Sequence, residues 1–83
     1  MTKIDEILSA GNWTNHDVVE QLPGNLNHKM VQKARLGKKP VPRHTQDLLT
    51  EAMNRLLNPE TRFRREDLFP AERISSIFVM TTN

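Results

Sequence analysis

Between His28 and Arg43 the chain carries Lys29, Lys33, Arg35, Lys38, Lys39 and Arg43, with Gln32 among them and no acid. A glutamine amide can pair with the N6 and N7 edge of adenine, and a lysine ammonium suits the acceptors of guanine. Lysines and arginines at the rim of such a group grip phosphates without reading sequence. The whole chain has a formal charge of only +2, yet this window is +6 and the remainder −4. A field segregated in this way draws a polyanion to one side of a small protein and resists it on the other. The bland counterpart is a solvated lysine-rich face, and composition alone leaves both open.

Other chemistry is poorly supplied. His16 with Asp17 and His44 with Asp47 are the candidate acid–base pairs. Neighbours in sequence do not share a helix face, and residues three apart form routine surface pairs. No serine stands in a nucleophile's context, no glycine-rich loop could cradle a phosphate, and the chain has no cysteine. His16, His28 and His44 could converge in space, but capping, surface and phosphate-contact roles suit them better than ligation. The expectation is a protein that is not an enzyme, with no cofactor, no metal and no small-molecule substrate.

The elements that must position the basic run are short helices. Thr2 is a candidate cap for a helix over 2–10 with Ile4, Ile7 and Leu8 on one stripe, and Gly11 is expected to end it in the left-handed conformation. Trp13 should sit at the edge of the core. Thr14 and Asp17 have the spacing of an N-terminal capping box for a helix over 15–22, with Val18, Val19 and Leu22 inward, stopped by Pro23-Gly24. Asn27 caps a third helix from His28 to Leu36, ended by Gly37, with Leu26 and Val31 spaced as a hydrophobic staple. Its inward side is expected to hold Met30 or Val31, Ala34 and Leu36. Its outward side would carry His28, Lys29, Gln32, Lys33 and Arg35.

Pro40 and Pro42 stiffen the link to the clearest helix, 43–57, where Leu48, Leu49, Ala52, Met53, Leu56 and Leu57 recur at core-facing spacing. Thr61-Arg62-Phe63 reads as a short extended piece. Arg65 to Phe69 reads as one helical turn that tucks Leu68 or Phe69 onto the core. The end, with Ile74, Ile77 and Phe78, is apolar enough for a strand, a continued helix or a docking segment.

Eighty-three residues allow one small domain. No apolar stretch approaches the roughly 20 residues that cross a bilayer, and Asp5 and Glu6 stand where a signal peptide would have its apolar core. A cytoplasmic protein with no membrane partner is the expectation. A core this small also favours a homodimer.

Two motifs carry a family resemblance. Val31-Gln32-Lys33-Ala34-Arg35-Leu36-Gly37-Lys38-Lys39-Pro40-Val41-Pro42 resembles the end of the recognition helix and the following loop of Cro/repressor-type (XRE-like) helix-turn-helix proteins. Arg64-Arg65-Glu66-Asp67-Leu68-Phe69-Pro70 resembles the closing segment of the small YdaS/Cro-like phage regulators. The resemblance covers roughly 14–70. It implies an all-α, lambda-repressor-like bundle of four to five short helices over 1–70 that binds operator DNA as a dimer and regulates transcription. The remaining 71–83 would form a C-terminal tail. Val19 meets the family's small-residue position only with one extra residue around Pro23 to Leu26, so a turn wider than the family's is expected. Ala34 also replaces the usual bulky apolar residue.

Carried over residue by residue, the resemblance implies base reading by His28, Lys29, Gln32 and Lys33. It implies phosphate contact by Asn15, His16, Arg35, Lys38, Lys39 and Arg43. Ile74, Ile77 and Phe78 are the candidate dimerisation residues. The expected partner is double-stranded DNA, bound by a Cro-like repressor. The alternative is a protein-binding or antirepressor-like accessory module that uses the apolar tail.

Overall fold

The computed structural model describes residues 2–69. Within them lie five helices and no strand: α1 (Lys3–Ala10), α2 (Asn15–Val19), α3 (His28–Leu36), α4 (Arg43–Leu57) and α5 (Arg65–Leu68). The all-helical class is therefore as expected. The residues assigned to the tail, Ile74, Ile77 and Phe78 among them, lie outside the described residues.

Caps set the beginnings of the first three helices. The Thr2 hydroxyl accepts from the Asp5 amide at 3.2 Å. The Asn27 side chain accepts from the Met30 amide at 3.0 Å. At α2 the box is complete: the Thr14 hydroxyl accepts from the Asp17 amide at 3.2 Å, and the Asp17 carboxylate accepts from the Thr14 amide at 2.8 Å. Each cap satisfies amide groups that the first turn cannot pair internally.

Helix ends depart from expectation twice. Gly11 closes α1 at φ −99, outside the left-handed region, and Asn12 takes that conformation instead at φ 59. Asn tolerates it better than most residues. Gly11 answers to crowding, since a Cβ there would stand 2.5 Å from the Trp13 indole nitrogen. The second departure is α2, which stops at Val19, short of the expected 22. Gln21 and Leu22 then bond back three residues, to the Val18 and Val19 carbonyls, so the chain tightens before Pro23 is reached.

Ile4, Leu8, Val18, Leu26, Val31, Ala34, Leu49, Ala52, Met53 and Leu68 form the core. Every described helix contributes to it. Leu26 and Val31 are both buried, as the staple requires. Leu36 was expected inward and is not; it is half exposed. With α3 seated on Val31 and Ala34, a residue five positions past Val31 is rotated well away from the core.

Buried polar groups fasten the connections. Gln46 donates to the Val41 carbonyl at 2.9 Å, which holds the proline link against α4. The Asn54 side chain accepts from the Phe63 amide at 2.7 Å and donates to the Phe63 carbonyl at 3.1 Å. The extended piece around Phe63 thus pairs with one side chain and not with a second strand. Leu68 is buried beneath it and Phe69 is partly buried.

Candidate nucleic-acid interface

The surface of α3 is built outward from its seat. Val31 and Ala34 face the core, so His28, Lys29, Gln32 and Lys33 are all exposed on the opposite side. Gly37 closes the helix at φ 69, the left-handed conformation that favours glycine. A Cβ at Gly37 would also stand 2.5 Å from the Thr2 methyl. This turn sends Lys38 and Lys39 into solvent, and Pro42 then opens α4 with Arg43 and His44 exposed in its first turn.

Arg35 departs from the outward set. Its Nε donates to the Asp5 carboxylate at 2.7 Å, and the two side chains are only 18 % and 10 % exposed. Its Nη1 donates to the Asn15 side-chain oxygen at 2.9 Å and its Nη2 to the Ser9 hydroxyl at 3.3 Å. A carboxylate drawn this far from water holds a guanidinium strongly, and the fork of donors suits three acceptors at once. The Arg35 carbonyl meanwhile accepts from the Thr2 hydroxyl at 3.1 Å. Arg35 therefore joins α1, α2 and α3, where sequence placed it among the outward cations.

The network reaches the surface through Asn15. Its amide donates to Gln32 Oε1 at 2.9 Å. Gln32 thus has an oriented carbonyl with one lone pair engaged, while its own amide group has no partner among the described residues. Asp5, Arg35, Asn15 and Gln32 form a chain from a buried carboxylate to an exposed amide. Asp5 and Ser9 were not anticipated as supports; the only sequence signal was an acid beside the apolar stripe of α1.

An open concavity of about 530 Å³ lies over this chain, lined by Trp13, Asn15, His16, His28, Gln32, Leu36 and neighbours. The His16 and His28 rings stack at its edge, with centroids 5.9 Å apart and planes inclined by 17°. His16 Nε2 also lies 3.3 Å from Glu20. Two of the three histidines considered together in sequence do meet, and His44 stands apart at the start of α4. Among the described residues no group of three His, Cys, Asp or Glu side chains is arranged to hold a metal ion.

No family model, curated protein or solved structure matches this chain.

The candidate surface has a consistent electrostatic pattern. Lys29, Lys33, Lys38, Lys39 and Arg43 make no ion pair with any acid among the described residues, whereas Arg35, Arg55, Arg62 and Arg65 each do. The first turn of α4 holds no acid, so Arg43 and His44 lie at the positive end of its dipole. That placement costs an isolated helix a few tenths of a kcal/mol for the Arg43 charge. No helix is long and apolar enough to cross a membrane among the described residues.

The link between α2 and α3 is wide. The eight residues from Glu20 to Asn27 connect them, against the three or four of a standard helix-turn-helix corner. Three of those eight residues, Glu20 to Leu22, were expected to belong to α2. Arg55 Nη1 donates to the Gln21 carbonyl at 3.1 Å, which ties the longer link to α4.

Proposed function

We propose that the chain is a small sequence-specific DNA-binding regulator of the Cro-like repressor type, acting in the cytoplasm. In this reading α2 and α3 are the helix-turn-helix of a lambda-repressor-like bundle, and α3 enters the major groove. The observation that carries the proposal is an exposed Gln32 oriented through Asn15 and Arg35, on a helix whose other exposed residues and following link carry cations that meet no acid among the described residues. An unpaired cluster of cations beside an amide held in place suits a polyanion with hydrogen-bonding edges better than it suits a solvated surface.

In this reading Gln32, Lys29, Lys33 and His28 meet base edges, while Lys38, Lys39, Arg43 and His16 meet phosphates. Asn15 and Arg35 support Gln32. The uncompensated Arg43 at the α4 dipole becomes intelligible, because a phosphate at that point would offset both charges. A homodimer would place two such faces about one helical turn, roughly 34 Å, apart on a palindromic site.

The test is retention of random-sequence duplex by the full chain in a gel-shift series at several salt concentrations, followed by sequencing of the bound fraction. Enrichment of a defined sequence, with affinity falling steeply as salt rises, is the expected result. Binding that matches that of Lys38→Ala/Lys39→Ala at every salt concentration would refute it.

A further inference from the structure

Leu36 is the exposed large hydrophobic residue of the described chain, at 50 % exposure. Single exposed leucines are common and ordinarily call for no explanation. Two features separate this one from that background. The first is position: Leu36 lies one turn beyond Gln32, about 40° around the helix and about 6 Å along it. Since Val31 and Ala34 face the core, Leu36 points away from it and, with the Asn15-bonded Gln32, lines the concavity beside α1 and α2.

The second is a fixed backbone. Immediately before Leu36, the Arg35 carbonyl accepts from Thr2 and the Arg35 side chain is held by Asp5, Asn15 and Ser9. Immediately after it, Gly37 is locked in its left-handed turn against the Thr2 methyl. An apolar side chain that stays half exposed beside cations, on a backbone held by these bonds, gains from a contact that removes it from water. Lys33, Lys38 and Lys39 around it favour a polyanionic partner over an apolar protein surface. The apolar feature that duplex DNA displays in its major groove is the thymine C5-methyl.

Resting on the reading of α3 as the groove-facing helix, we propose that Leu36 determines specificity by packing on the C5-methyl of a thymine. That thymine lies close to the base met by Gln32, since the two residues are only about 6 Å apart along the helix. Leu36 supplies shape and dispersion where Gln32 supplies hydrogen bonds.

The experiment uses the full chain and a duplex enriched from a random pool. Each thymine of the enriched site is replaced singly by deoxyuridine, which removes only the methyl group. One position is expected to weaken wild-type binding about fourfold, the effect of one buried methyl-sized group. Leu36→Ala should bind the parent duplex about as weakly as wild type binds that uridine duplex, and should no longer distinguish the two. Its helical circular dichroism and melting should match wild type, since the residue is exposed. Wild-type indifference to uridine at every position would overturn the inference and leave DNA binding standing, and this arm needs no variant. Persistent discrimination by Leu36→Ala would also overturn it. Failure to enrich any duplex would instead remove the reading on which the inference rests.

Discussion

Two regions of this small protein use the same cationic residue types to opposite ends. Along α4 and α5, Arg55 and Arg62 share Glu51, at 2.9 and 3.1 Å, and Arg65 reaches Asp47 at 3.1 Å. Along α3, the link after it and the first residue of α4, Lys29, Lys33, Lys38, Lys39 and Arg43 have no acid to meet among the described residues. The first region is internally neutralised; the second holds a standing field. Arg35 is the instructive exception, since it lies inside the basic window in sequence and behaves like the paired arginines. Charge becomes available to a partner only where the fold has left it uncompensated, and a count of lysines and arginines does not reveal where that is.

The comparison breaks most visibly at Arg35. Arg35→Met leaves the Asp5 carboxylate drawn from water without its cation, which should cost about 3 kcal/mol in urea unfolding. Asp5→Leu in the same chain should restore much of that stability, because two apolar groups replace a broken pair. A loss below about 1 kcal/mol for the single variant would place Arg35 with the free cations after all.

Next in size is Lys38→Ala/Lys39→Ala. Affinity for all duplexes should fall by roughly tenfold or more at low salt, with the salt slope reduced by up to about two. The matching change in the neutralised region, Arg62→Ala/Arg65→Ala, should leave affinity and slope close to those of wild type. Equal effects from the two double variants would erase the distinction between the regions.

Gln32→Ala should cost on the order of 1–3 kcal/mol of discrimination between preferred and altered sites. A uniform loss over all sequences would make it a phosphate contact. Smaller still, Arg62→Ala alone should change stability by less than about 1 kcal/mol, as expected for an exposed pair whose acid keeps a second partner in Arg55.

The smallest effect concerns the α2 cap. The Thr14 amide holds the Asp17 carboxyl below its ordinary value of 3.8, against the opposing effect of burial and with lesser help from the Thr14 hydroxyl and the His16 charge. A folded-state value depressed in this way means that the cap stabilises the fold above the unfolded value. The contribution is lost as pH falls through the lower, folded one. Wild type should therefore exceed Asp17→Asn in urea midpoint near neutrality, and the gap should close progressively below pH 3.8. A gap that persists unchanged into strong acid would assign it to shape, not charge.

Most of the helical frame was legible because its signals are local. Thr2, Thr14 and Asn27 each bond an amide three residues on, and the stripe of α4 repeats within one helix. Gly37 announced the end of α3 by residue type alone. What could not be read were relations between distant positions. No periodicity links Asp5, Ser9, Asn15 and Arg35, which lie on three helices, so sequence alone groups Arg35 with its basic neighbours. Leu36 looks inward by its apolar type, but its angle from Val31 and Ala34 turns it to solvent. The shortness of α2 escaped because i→i−3 bonding in the link satisfies the backbone before Pro23 can interrupt it.

The contact between Thr2 and Gly37 bears on how the protein can be handled. Thr2 is fastened to the end of α3, against Gly37 and the Arg35 carbonyl, so the start of α1 and the residue before Lys38 and Lys39 are neighbours. An acidic peptide joined there would meet those lysines at high effective concentration, and on the reading proposed above it would compete with a polyanion, whereas a lysine-rich one would add to the attraction. Fusion at the amino end is thus a way of tuning this surface, and a tag placed there for convenience would be measured along with the protein.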